Sequence, residues 1–121
     1  MANPMKQLGT SHETAIVNWF KANGWPYAAR KTLKGSADQG DIQLSERVPF
    51  VVEAKTAKAT TDKANISGWL KELEAEIIAA EAETGAIIMK KRGTTDVAEY
   101  VAIMPVKVLN HLLQRAYGPL Q

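Results

Sequence analysis

Two charged residues end an apolar segment that is otherwise typical of a buried strand. The segment is VPFVVEAK, residues 48–55, and its last three residues include Glu53 and Lys55. Because side chains on a strand alternate between its two faces, Val51, Glu53 and Lys55 share one face and the opposite face is wholly apolar. The pattern therefore predicts a carboxylate and an ammonium group held in fixed positions at one edge of the core.

The preceding segment, DIQLS, offers a second carboxylate. It alternates polar and apolar residues and lies close in sequence to residues 48–55, so the two segments predict a β-hairpin. In that hairpin Asp41 falls beside the level of Glu53. Two carboxylates form an oxygen-rich ligand set of the kind Mg²⁺ prefers, and the cation would stabilise charge on a phosphate and activate water. Lys55 would orient or deprotonate that water, or stabilise the developing negative charge.

A weak surface ion pair is the simpler interpretation of Glu53 and Lys55 taken alone. Asp41 in a paired strand and the charge distribution favour a site instead. The chain has a net charge of +2, but residues 72–83 hold five glutamates and no basic residue, which leaves +7 on the remainder. This asymmetry predicts a polyanionic partner, with the acidic segment facing away from it. Solvated surface charge is the alternative.

The segments that must position these residues are read from hydrophobic periodicity and turn signals. The predicted helices cover residues 11–23, 66–84 and 105–116, and the predicted strands cover residues 27–33, 41–45, 48–55, 86–90 and 98–104. Gly85 is expected to end the second helix. The order α-β-β-β-α-β-β-α predicts an α/β fold with a mixed central sheet flanked by helices. A length of 121 residues predicts a single domain, with residues 1–9 flexible.

Composition excludes several classes of protein. The chain has no cysteine, so it has neither a disulfide framework nor a thiolate metal site. It has no apolar run of about 18 residues, which a membrane span requires, and its N-terminus lacks the apolar core of a signal peptide. We therefore expect a cytoplasmic protein with no membrane partner.

The combination of G-D-I-Q-L and E-A-K, with eleven residues between Asp41 and Glu53, resembles the PD-(D/E)xK nuclease superfamily. Within it, residues 9–104 are most similar to the archaeal-type Holliday junction resolvases of DNA recombination and their phage relatives. The resemblance implies a restriction-endonuclease-like fold and a homodimer that cuts branched DNA, such as a four-way junction, with Mg²⁺. Mn²⁺ is expected to substitute. The chain departs from the pattern at Gly40, which replaces the usual proline, and in K-E-L-E-A-E, residues 71–76, which lacks the glutamine of many relatives.

The resemblance also implies roles for individual residues. Glu13 on the first helix would join Asp41 and Glu53 at the metal, and Lys55 would be the catalytic lysine. Glu13 has a structural alternative, because Thr10-Ser-His-Glu13 matches a helix capping box. The expected DNA contacts are Arg30, Lys31, Lys34, Ser36, Lys58 and Lys63, with ordinary surface positions as the alternative.

Two other functions stay open at this point. The chain could be a different nuclease of the same superfamily, acting on linear DNA. It could also be a non-catalytic DNA-binding protein on the same scaffold, although the complete Glu53 and Lys55 motif argues against that.

Overall fold

A computed structural model describes residues 4–32, 40–56 and 65–118, and the side chains of residues 4–10, 32, 40 and 41 are not described. The described residues form an α/β fold with three α-helices and five strands. The elements are α1 (Pro4–Ala22), β1 (Ala29–Thr32), β2 (Gly40–Gln43), β3 (Phe50–Thr56), α2 (Ile66–Ala79), β4 (Thr84–Lys90), β5 (Val101–Ile103) and α3 (Val106–Tyr117). No helix in these ranges has the length and apolar character needed to cross a membrane.

The five strands form one mixed sheet in the order β1-β2-β3-β4-β5. Neighbouring strands are antiparallel except β3 and β4, which are parallel and are joined by α2. A parallel pair requires such a crossover, because its strands begin at the same edge of the sheet. The predicted α/β class, mixed sheet and element order are therefore confirmed.

The two faces of β3 pack against different helices. Val52 belongs to a buried cluster with Ile16 of α1 and Ile42 of β2. Val51 belongs to a second cluster with Leu73 of α2 and Ile87 of β4. The alternation predicted for this strand is therefore observed, and α2 covers the face that carries the charged residues.

The first helix starts earlier than the sequence pattern predicts. It begins at Pro4, so residues 4–9, expected to be flexible, are helical. Proline suits the first position of a helix, where its missing N–H has no partner to lose. Thr10 lies inside the helix and cannot be its N-cap, so the capping-box interpretation of Glu13 is wrong.

The second helix ends at Ala79, and Gly85 does not end it. Glu81 adopts a left-handed backbone conformation with φ of 54°. The N–H of Glu81 donates to the carbonyl of Ile78, and the N–H of Ala82 donates to the carbonyl of Ile77. This is a Schellman turn with glutamate at the position that usually holds glycine, so the sequence carries no glycine signal for it.

Gly85 instead lies in β4, where it pairs with Val51 of β3. A Cβ atom at this position would lie 2.6 Å from the Val51 carbonyl oxygen and 3.1 Å from a methyl group of Leu73. Glycine therefore lets α2 and β3 approach β4 closely. The predicted final strand is also shorter than expected, because Asp96 accepts a hydrogen bond from the Ala98 N–H and starts a 3-10 turn before β5.

Candidate functional site

The end of β3 brings Glu53 and Lys55 together beneath α2. Glu53 is only 6% exposed, whereas Lys55 reaches the boundary with solvent. The Lys55 Nζ lies 3.9 Å from Glu53 Oε1, and it donates a much shorter hydrogen bond of 2.6 Å to Glu72 Oε2 on α2. Glu72 of the neighbouring helix thus holds the lysine amine between the buried Glu53 carboxylate and solvent.

The backbone register places position 41 next to this pair. Ile42 pairs with Val52 and Gln43 with Val51, so the same register continued by one residue sets Asp41 across from Glu53. Directly opposed positions of an antiparallel pair lie on one face of the sheet, with Cβ atoms about 5 Å apart. Lys31 of β1 pairs in turn with Asp41. A row of three polar positions therefore crosses three strands at this level of the sheet.

A second buried glutamate, Glu76 of α2, lies beside Glu53. It is 3% exposed, and among the described residues neither of its carboxylate oxygens has a hydrogen-bond partner. The Oε2 atom of Glu53 also lacks one. Burial raises the pKa of Glu53 to about 10, the adjacent Glu76 carboxyl group raises it further, and the positive charge of Lys55 lowers it. The two carboxyl groups are therefore close enough to share a proton.

The acidic segment, expected to face away from a polyanionic partner, contributes two side chains to this end of the sheet. Glu72 contacts Lys55 and Glu76 contacts Glu53, because α2 crosses over the end of β3. The sequence contained a signal for Glu76. It stands three residues after the buried Leu73 and seven after Trp69, on the stripe that packs against the sheet. A glutamate on the apolar stripe of a helix indicates a buried carboxylate.

Glu13 has a close partner on the other side of the sheet. Its Oε2 lies 2.7 Å from the Arg30 Nη2, and Arg30 pairs with Ile42, which packs on the α1 side. Burial raises the pKa of Glu13, Arg30 opposes that shift, and the charge of Glu76 adds to it. Glu13 is therefore within electrostatic reach of the buried glutamates, but its direct contact is an arginine.

Only some of the remaining predicted DNA contacts lie in the described part of the chain. Lys31 is exposed on β1. The residues outside the described part of the chain are Lys34, Ser36, Lys58 and Lys63. Among the described side chains, no three histidine, aspartate or glutamate residues converge closely enough to hold a metal ion, and the Asp41 side chain is not in that set.

Two features near the site were not among the predicted site residues. Exposed Lys90 is the last residue of β4 and pairs with Thr56 at the end of β3, and exposed Lys91 and Arg92 follow it. These basic residues thus lie at the same edge of the sheet as Lys55. His12 of α1 is buried, with its Nε2 3.4 Å from the Ile88 carbonyl oxygen, and burial lowers its pKa. It is a neutral side chain of the core at this end of the sheet.

Comparison of the chain with protein-family models, with curated proteins and with solved structures finds no match.

The donor set suits a hard divalent cation. Three carboxylate oxygens of Glu53 and Glu76 are buried without a partner among the described residues. An oxygen-only set of this kind matches Mg²⁺ or Mn²⁺, which bind carboxylates and keep several waters. The alternative occupant is a proton shared between the two carboxyl groups.

Proposed function

We propose that the protein is a Mg²⁺-dependent DNA endonuclease that hydrolyses phosphodiester bonds and prefers four-way junctions. The observation that carries this proposal is the buried carboxylate of Glu53 next to the Lys55 amine, with position 41 opposite Glu53 in the paired strand. Carboxylates beside an amine form a combination that holds a cation and assists the attack of water on a phosphate.

In this proposal Asp41 and Glu53 hold the cation, and Glu13 contributes directly or through water. The buried Oε2 of Glu53, which has no partner among the described residues, fits this assignment, because a carboxylate withdrawn from water needs a proton or a cation. When bound, Mg²⁺ or Mn²⁺ supplies charge stabilisation at the phosphate and a more acidic water. Because Glu53 is buried, solvent would have little access to its bond with the cation.

Lys55 is assigned the role of positioning or deprotonating the attacking water, or of stabilising negative charge on the phosphate. The hydrogen bond from its Nζ to Glu72 keeps the amine at the end of β3, within 3.9 Å of Glu53. An amine placed by a neighbouring carboxylate loses less freedom when substrate binds than a free lysine would. Glu72 is therefore a positioning residue in this proposal.

Basic residues at the same end of the sheet would contact the DNA backbone. Lys31 lies in the row with Asp41, Lys90 ends the strand parallel to β3, and Lys91 and Arg92 follow that strand. Such side chains orient DNA without reading its sequence. Arg30, Lys34, Ser36, Lys58 and Lys63 complete the proposed contacts, and Arg30 would have to exchange or share its partner Glu13.

The restriction-endonuclease-like arrangement is part of the same proposal. It is supported by the order of the elements, in which a helix and an antiparallel three-stranded unit precede a crossover helix and a strand parallel to β3. The acidic residues of the site then come from β2, β3 and the helices on the two faces, and the basic residues come from β1, β3 and the end of β4.

A homodimer is proposed as the active form, because two sites related by a two-fold axis suit paired cuts in a symmetric junction. The surface that supports it is an apolar stripe on α3, formed by exposed Val106, Leu109, Leu113 and Tyr117. These residues are spaced three or four apart and so share one face of the helix. Sedimentation velocity should give a dimer for the wild type and a monomer for Leu113→Glu, and a monomeric wild type at assay concentrations would contradict this surface.

The proposal is tested by incubating the purified protein with four-way junction, duplex and single-stranded DNA, in Mg²⁺ and in EDTA. The expected result is Mg²⁺-dependent cleavage, fastest on the junction, and a loss of at least 100-fold in Lys55→Ala and Glu53→Ala. Lys71→Ala is the matched control, because Lys71 is an exposed lysine on α2. Equal cleavage of junction and duplex would favour a nuclease of linear DNA. Tight binding without cleavage would favour a non-catalytic DNA-binding protein.

A further inference from the structure

The least expected group near the site is the Glu76 carboxylate. It lies inside the protein on the apolar stripe of α2, with both of its oxygens buried and no donor for either among the described residues. Glu53 presents a third buried oxygen in the same condition. We propose that Glu76 is a direct ligand of the divalent cation together with Glu53, so that α2 as well as the sheet supplies the site.

The energetics of burial support this assignment. An unpaired buried carboxylate is strongly disfavoured, and two adjacent carboxylates are more so. Lys55 offsets the charge of the pair only in part, because its short contact is to Glu72 and its distance to Glu53 is 3.9 Å. One shared proton bridges two of the three oxygens, whereas one cation can bind all three. Mg²⁺ commonly binds through one or two carboxylates and completes its shell with water, so a pair of glutamates is a sufficient protein contribution.

Glu13 is a weaker candidate for a direct ligand than Glu76. Glu13 is the third carboxylate expected at the metal from the resemblance, but its Oε2 lies 2.7 Å from Arg30. A carboxylate paired with a guanidinium has its charge already matched, whereas Glu76 has no cationic partner among the described residues. Glu76 is therefore the better direct ligand, and Glu13, held by Arg30, is left to contribute through water.

The inference rests on the cation site of the proposed function, and its test measures cation binding without DNA. Mn²⁺ alone is titrated into the wild type, Glu76→Gln, Glu13→Gln and Glu74→Gln, and free Mn²⁺ is followed by electron paramagnetic resonance. Glu74 is the matched control, because it is an exposed glutamate on the same helix. The wild type and Glu74→Gln should bind Mn²⁺ with equal affinity, Glu76→Gln at least 10-fold more weakly, and Glu13→Gln within about 3-fold of the wild type.

Thermal unfolding in EDTA and in Mg²⁺ keeps the test independent of folding defects. Glu76→Gln should unfold in EDTA at the same or a higher temperature than the wild type, because one buried charge is removed, and should lose the rise that Mg²⁺ gives the wild type. Wild-type affinity for Mn²⁺ in Glu76→Gln would overturn the inference, as would a wild type that binds no Mn²⁺.

The two proposals fail separately. A protein that binds Mn²⁺ through Glu76 but cuts no DNA supports the ligand assignment and contradicts the nuclease. A protein that cuts DNA with Mg²⁺ while Glu76→Gln binds Mn²⁺ normally supports the nuclease and contradicts the ligand assignment.

Discussion

The substitution Glu53→Gln should stabilise the metal-free protein at neutral pH, although it removes a residue of the proposed site. Glutamine keeps the size of the side chain and cannot ionise. In the folded protein the pKa of Glu53 is raised from 4.5 to about 10, first by burial and then by Glu76. The folded wild type therefore retains a proton at pH 7 that the unfolded chain releases.

The sign and magnitude follow from proton linkage. Because the folded state binds the extra proton, the stability associated with it is fully present below pH 4.5 and is lost as the pH rises toward 10. The slope is about 1.4 kcal/mol per pH unit. From the unfolded pKa to pH 7 the loss is about 3 kcal/mol, and it does not depend on the folded pKa as long as that value stays above 7. Glu53→Gln escapes this loss.

The assay is urea unfolding in EDTA at pH 5 and pH 7. Wild type and Glu53→Gln should have free energies of unfolding within about 1 kcal/mol of each other at pH 5, and the variant should be about 3 kcal/mol more stable at pH 7. Glu74→Gln, an exposed change on α2, should match the wild type at both values. If the two proteins have the same free energy of unfolding at pH 7, or differ by the same amount at both pH values, the folded wild type does not hold an extra proton on Glu53.

Three further predictions concern the scaffold and can be read by urea unfolding. Gly85→Ala should lower the free energy of unfolding by about 1 to 3 kcal/mol, because the added Cβ would lie 2.6 Å from the Val51 carbonyl oxygen. An unchanged urea midpoint would mean that β3 and β4 are less tightly packed than described. Glu81→Gly should gain about 1 kcal/mol by removing a side chain from a left-handed position, and a loss of stability would argue against that turn. Arg30→Ala should lower the free energy of unfolding by about 1 kcal/mol, because Glu13 loses its ion-pair partner. The same substitution should cost less in a protein that already carries Glu13→Gln. Equal costs in the wild type and in Glu13→Gln would show that the two residues are not coupled.

The parts of the structure that depend on local sequence pattern were predictable. Alternation along β3 separates Val52 from Glu53, and that separation holds whatever packs on the strand. The short link between β2 and β3 likewise limits the pairing to a hairpin, which brings position 41 to the level of Glu53. The order of helices and strands follows from the same local periods.

The parts of the structure that depend on contacts between distant segments could not be predicted from the sequence. The partner of Glu13 is set by how α1 lies on β1, and sequence spacing says nothing about that contact. Glu72 and Glu76 enter the site because α2 crosses the end of β3, and their clustering with three other glutamates suggested an exposed acidic face. The end of α2 was misplaced because Glu81 adopts a conformation that favours glycine.

The most direct test of the central claim, that the carboxylates of residues 41 and 53 share one cation beside Lys55, is the anomalous scattering of a crystal soaked in Mn²⁺. The account predicts one strong peak, about 2 Å from carboxylate oxygens of Asp41 and Glu53. A crystal with no peak there, or with Asp41 directed away from Glu53, would contradict it.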